Sequence, residues 1–242
     1  MGAVSAEKVW MKYYSEESRN AQLPRMKVYT YYKEVNKDRL HDTTIYYYGA
    51  KITVKKFIER IDECANAFAA LGVKKGDTVS LLSASTPESI AALYALNKIG
   101  ATLNAIDPRM DVKSISRMIR NSGSSVLIAI DIAYDKVAKI LPEIKQKHII
   151  IQSAGTSLPM IKKIALKIAV RSSVPYGKCG IMSWETFIKG AKNAVAEEAP
   201  YEGDATVAIT YTGGTTGFPK GVMLTNDSIN AVAFNFAHSG IV

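Results

Sequence analysis

The sequence of 242 residues is poor in the side chains that build metal centres and disulfide frameworks. Its two cysteines, Cys64 and Cys179, lie far apart, and its three histidines are His41, His148 and His238. That inventory leaves almost nothing for a structural zinc site and fits a reduced, cytoplasmic compartment. No uninterrupted apolar run approaches the length of a membrane span; Val126 to Ile130, the best candidate, is broken at once by Asp131. The opening residues MGAVSAEKVWMKYY lack the apolar core of a signal peptide, and Ala6 stands where a myristoylation pattern needs Ser or Thr. A G-x-G-x-x-G fingerprint after the first strand is also missing, which weakens a dinucleotide reading.

What is present reads as an ordinary globular protein: 48% of residues are hydrophobic and 22% charged. A net charge of +9 suits anionic partners such as nucleotides, a CoA-like carrier or an anionic membrane surface. Nucleic acid is disfavoured, because the basic residues are scattered and no nucleic-acid motif occurs.

Residues 1–43 are rich in tyrosine and charge without a clean period, and read as an irregular, partly helical lead-in. From Thr44 the pattern sharpens. The run IYYYGAKIT predicts a short hairpin joined by Gly49-Ala50. Thr53 caps an amphipathic helix carrying Phe57, Ile58, Ile61, Ala65, Phe68 and Leu71, with Gly72 as its stop. Strands are expected at Thr78–Leu82, Thr102–Ile106, Ser125–Ile130, His148–Ile151 and Ala205–Tyr211. Helices alternate with them: from Thr86-Pro87-Glu88 to Lys98, from Asp111 to about Asn121, from Ala133 to Leu141, and from a Ser183 cap through about Ala194. This alternation predicts an α/β fold with a mostly parallel sheet flanked by helices. Ser157 to Arg171 places Lys163, Lys167 and Arg171 four apart on one helical face, which suits either an ordinary surface helix or weak contact with a membrane surface.

The chemistry concentrates where the last predicted strand ends, in Thr212-Gly213-Gly214-Thr215-Thr216-Gly217-Phe218-Pro219-Lys220-Gly221. Gly213, Gly214 and Gly217 let backbone N–H groups turn toward an anion. Thr212, Thr215 and Thr216 add hydroxyl donors, and Lys220 adds a mobile positive charge. Together they favour a polyphosphate. The loop is not a Walker A sequence, because Pro219 precedes Lys220 and Gly221 follows it.

Thr212 to Val222 closely resembles the signature of the adenylate-forming superfamily, usually TSGTTGxPKGV, with Gly213 in place of the serine. The TGGTTG variant looks most like fatty-acyl-CoA ligases. Met223 to Thr225 continue the pattern, whereas Asn226 stands where many members have histidine. GVKKGDTVSLL (Gly72–Leu82) and ALNKIGATLNAIDP (Ala95–Pro108) look like the family's earlier segments in the right order.

The resemblance implies the first subdomain of an acyl-CoA synthetase's large N-terminal domain, with residues 44–242 an incomplete adenylation domain. It implies ATP, Mg2+ and CoA, with a carboxylic acid, most naturally a fatty acid, activated as its acyl-adenylate and passed to the CoA thiol. In that picture Thr212, Thr215, Thr216 and Lys220 contact phosphates, and Gly213, Gly214 and Gly217 let the backbone do so. Catalytic residues and metal ligands are expected beyond Val242, in a missing C-terminal half, so no turnover is expected from this chain alone. An amino- or aryl-acid adenylation module, and a stand-alone non-catalytic nucleotide-binding or regulatory protein, stay open as alternatives.

Overall fold

The computed structural model describes residues 12–169, 174–191, 193–213 and 218–238. The chain enters through α1 (Glu16–Asn20) and α2 (Val28–Val35), then forms a hairpin of β1 (Thr43–Tyr47) and β2 (Ala50–Thr53). There follow α3 (Val54–Ala70), β3 (Thr78–Leu82), α4 (Pro87–Ile99), β4 (Thr102–Ile106), α5 (Val112–Asn121) and β5 (Val126–Ile130). A 3-10 turn leads to α6 (Tyr134–Ile140), β6 (His148–Gln152), α7 (Met160–Ala169), β7 (Ile181–Ser183) and α8 (Trp184–Lys189). The chain returns across the sheet as β8 (Thr206–Thr212), then β9 (Lys220–Thr225) and α9 (Asn226–Ala237).

The expected α/β sheet is present, with seven strands in the order β7-β6-β5-β3-β4-β8-β9. All neighbours pair in parallel except β8 and β9, which pair antiparallel. Helix starts follow local chemistry. Thr53, Thr86, Asp111 and Ser183 each accept a hydrogen bond from the backbone N–H three residues on. Gly100 closes α4 in the left-handed conformation, φ 82, and a Cβ there would lie 2.7 Å from Ala199 Cβ; both facts require glycine.

Two apolar layers sandwich the sheet. On the front, Phe57, Ile61 and Phe68 of α3, Ala92 and Leu96 of α4, and Phe187 of α8 pack on Val79, Leu81 and Ile128. On the back, Ile115, Met118 and Ile119 of α5 and Val137 and Ile140 of α6 pack on Leu82, Leu127 and Ile149. Alternate residues of each strand thus serve opposite layers, as a doubly covered parallel sheet demands.

Three expectations need correction. The hairpin turn is Tyr48-Gly49, not Gly49-Ala50: both residues have positive φ, 49 and 98, as a two-residue turn matching strand twist requires, and Ala50 already pairs with Tyr47. The Ser183-capped helix ends at Lys189, not near Ala194. Gly190 weakens its continuation, and Asn66 Oδ1 accepts a bond from Ala196 N at 2.9 Å, drawing the chain into the front core. Finally, β7 and β9 arise where no strand is expected.

One buried amide ties the ends of the described chain together. Asn226 Oδ1 accepts from Val28 N at 3.2 Å and Asn97 Nδ2 at 2.8 Å, while its Nδ2 donates to Glu202 O at 2.9 Å. A single side chain therefore links α2, α4, α9 and the segment before β8. Replacing Asn226 with alanine leaves buried donors and an acceptor unpaired, so urea unfolding should show a loss of about 2–3 kcal/mol. A loss below about 0.5 kcal/mol, the size of a bland surface change, would show that this link is dispensable.

Candidate functional site

The order of strands fixes where a ligand can enter. From β3 the chain steps to β4 through α4 on the front; from β4 it steps back past β3 to β5 through α5 on the rear. The connections leaving β3 and β4 therefore diverge to opposite faces, and a crevice opens beyond their carboxyl ends. A cleft of about 630 Å3 occupies that position. Ser83 and Ser85 after β3, Asp107 and Arg109 after β4, Ile132 after β5 and Tyr211 near the end of β8 line it.

Charge in the cleft is arranged rather than loose. Arg109 grips the Asp107 carboxylate with Nε at 3.0 Å and Nη2 at 2.6 Å, which holds that carboxyl below the usual carboxylate range. Lys136 Nζ donates to the carbonyls of Pro108 and Met110, each at 2.7 Å, and fixes the loop from beneath. Asp131 Oδ1 accepts from the backbone N–H of Ile132 and, at 3.1 Å, of Ala154.

The strand that borders the cleft also carries the glycine- and threonine-rich loop. Thr212 closes β8 and pairs with Lys220, which opens β9, so the two stand side by side at the open end of the ribbon. Both are exposed, and Gly213 follows with open space around its Cα: a Cβ there would meet nothing within 4 Å. Among the described residues the Lys220 ammonium has neither an ion-pair nor a hydrogen-bond partner. Of the expected loop residues, Thr212, Gly213 and Lys220 are thus brought together, whereas Gly214, Thr215, Thr216 and Gly217 lie outside the described residues.

The root of the loop is held from both sides. Tyr211 OH donates to Asn104 Oδ1 at 2.8 Å, and Asn104 Nδ2 donates to Ser80 Oγ at 3.0 Å, which meets Ser124 Oγ at 2.7 Å. This polar chain crosses three strands inside the rear layer. Burial pushes the Tyr211 phenol up, so it stays a neutral donor near neutral pH. Gly221 lets the ring lie against β9: a Cβ at that position would come 3.4 Å from Tyr211 Cε1 and 3.0 Å from Ile209 Cγ2. Beyond the loop, the Phe218 ring sits under the Arg117 guanidinium of α5, 4.1 Å from the ring centroid.

Sequence reading misses these positioning residues. A polar Asn104 inside an otherwise apolar strand is the signal that could have pointed to them, because a buried amide must find partners. Among the described residues, no three His, Cys, Asp or Glu side chains gather closely enough to hold a metal ion.

The sequence profile of the AMP-binding enzymes matches residues 33–241. The chain belongs to the AMP-binding enzyme family. Its relatives in this family include the long-chain-fatty-acid–CoA ligase of Bacillus subtilis, 27% identical over 78% of this chain and 34% of that protein. The long-chain-fatty-acid–CoA ligase FadD13 of Mycobacterium tuberculosis is 28% identical over 73% of this chain and 30% of its own length. The anthranilate CoA ligase AuaEII, solved with anthranoyl-AMP, shares the fold with a TM-score of 0.69 at 18% identity, covering 87% of this chain and 36% of that one. The chain spans about a third of the length of the curated relatives it matches.

The Tyr211–Asn104 bond is the most local test of how the loop is rooted. Tyr211→Phe leaves Asn104 Oδ1 buried without a donor and should lower unfolding stability by about 1–3 kcal/mol. An unchanged midpoint of chemical denaturation would remove this bond from the account.

Proposed function

We propose that the chain supplies the ATP phosphate-binding loop of an AMP-forming acid–thiol ligase, with residues 44–242 as an incomplete adenylation domain. The observation that carries this reading is the pairing of Thr212 with Lys220, which has no ion-pair or hydrogen-bond partner among the described residues, directly after Tyr211, which lines the crevice.

In this reading a carboxylate oxygen attacks the α-phosphorus of ATP, a P–O bond forms, and pyrophosphate leaves. Negative charge builds on the leaving group. The loop's part is electrostatic: Lys220, the hydroxyls of Thr212, Thr215 and Thr216, and backbone N–H groups freed by Gly213, Gly214 and Gly217 hold the β- and γ-phosphates in line. Such donors, fixed before the reaction, need no reorganisation as charge moves. Tyr211, Asn104 and Phe218 act through the loop, by holding its two roots. The CoA thiol then takes the acyl group and AMP departs. Magnesium enters as the ATP complex, with its protein ligands placed outside this chain, as are the catalytic residues and the C-terminal half that would complete turnover.

The acid is a carboxylic acid of the fatty class. Support comes from the TGGTTG form of the signature and from two relatives that carry long-chain-fatty-acid–CoA ligase in their names.

Lys220→Ala provides the test. By isothermal titration the 242-residue chain should bind ATP, and the substitution should weaken that binding by about 1–3 kcal/mol, the size of a lost charge-assisted hydrogen bond. Equal binding by both proteins would remove Lys220 from the site. Acyl-CoA formation by this chain alone would contradict the assignment of chemistry to other segments.

A further inference from the structure

Helix α7 is built the wrong way round for an ordinary surface helix. Its inner anchor is Leu166: a Cβ at Gly155 would come 3.1 Å from Leu166 Cδ2, so that edge of the helix rests on the connection from β6. With about 100° between successive residues, Met160, Ile161 and Ile164 fall together on the side opposite Leu166. All three are open to solvent: Met160 is 73% exposed, Ile161 84% and Ile164 54%. A surface helix normally turns such a stripe toward the core. This one turns it outward.

The β1–β2 hairpin lies against the start of the same helix. Lys162 Nζ donates to Tyr48 O at 2.7 Å, so the hairpin turn and the start of α7 are held together. Tyr46 and Tyr48 are 71% and 68% exposed, and the Lys51 ammonium lies over the Tyr46 ring, 5.8 Å from its centroid. Lys163, the residue after Lys162 in α7, is exposed. α7 itself carries three lysines and no aspartate or glutamate.

Each component has a counterpart in a bilayer surface. Aliphatic side chains enter the acyl boundary, tyrosines sit at headgroup level, and lysines lay their stems on apolar surface while their ammonium groups reach phosphate. A polyanion without an apolar interior would leave the Met160–Ile161–Ile164 stripe in water. A neutral apolar partner would make no use of a basic helix without acids. Among the described residues no helix is long and apolar enough to cross a membrane, so contact of this kind would be peripheral.

We propose that α7 and the Tyr48-Gly49 turn form a docking surface for an anionic lipid bilayer, with Met160, Ile161 and Ile164 at the headgroup boundary and Lys51 and Lys163 facing lipid phosphates. This surface is separate from the crevice, and the proposal stands whatever acid the ligase activates.

The test is co-sedimentation of the full chain with vesicles of phosphatidylcholine containing about one-third phosphatidylglycerol, against vesicles of phosphatidylcholine alone. The chain should pellet with the anionic vesicles, less at high salt, and far more weakly with neutral ones. The double variant Ile161→Glu, Ile164→Glu should lower vesicle affinity by about tenfold or more, and charge reversal at Lys163 by about fivefold or more. Tyr46→Ser, outside the helix, should weaken binding with the far-UV dichroism unchanged, so that a disturbed α7 cannot account for every loss. Failure to pellet, equal pelleting with neutral vesicles, or full binding by the double glutamate variant would each overturn the proposal. A concentration-dependent dimer abolished by the glutamate pair, without lipid binding, would also overturn it by giving the face to a second copy of the chain.

Discussion

A strand is joined to a parallel neighbour almost without exception by a right-handed crossover, so the direction in which the chain steps along the sheet decides which face each helix covers. In this protein the step from β3 to β4 and the step from β4 back to β5 run in opposite directions. α4 must then cover the front and α5 the rear. The gap between their connections is the crevice, and β8 arrives beside β4 with Tyr211 against it and the glycine- and threonine-rich loop following. The site is thus a consequence of strand order and handedness before any side chain is considered.

Around that frame the protein spends buried polar groups to fix geometry that apolar packing alone would leave loose. The Tyr211–Asn104–Ser80 chain roots the loop strand in the rear layer. Asn226 does the same for the start of α9 and for α2. Lys27 is a third case: burial lowers its pKa, yet its ammonium meets Glu198 Oε1 at 2.8 Å and Lys98 O at 3.3 Å. Buried groups of this kind are costly when half satisfied and specific when fully satisfied. Lys220, exposed and without a partner among the described residues, is the contrasting case.

Much of the architecture was legible in the sequence, and the reasons are local. Thr86-Pro87 with Gly100, and Asp111 before an amphipathic run, state their helix ends in short-range chemistry that the tertiary fold leaves unchanged. β3 and β4 read correctly because β-branched and apolar runs were bounded by clear punctuation. The failures come from longer range. The end of α8 depends on Asn66, more than a hundred residues away, capturing Ala196 N. β9 reads as the tail of a loop, because Lys220-Gly221 carries no strand signal and its pairing with Tyr211-Thr212 exists only once β8 is in place. The crevice could not be read at all without the strand order. For α7 the sequence showed a basic amphipathic helix, but only Leu166 against Gly155 reveals which face turns outward.

The claim on which the functional account rests is that this chain recognises polyphosphate at the β8–β9 loop rather than the nucleoside alone. Equilibrium binding of ATP, inorganic tripolyphosphate and AMP to the unmodified chain addresses it directly. The account predicts that ATP and tripolyphosphate compete for one site, that each binds about tenfold or more tightly than AMP, and that the advantage shrinks as salt screens the loop's charges. Equal affinity for ATP and AMP, or no competition by tripolyphosphate, would contradict it.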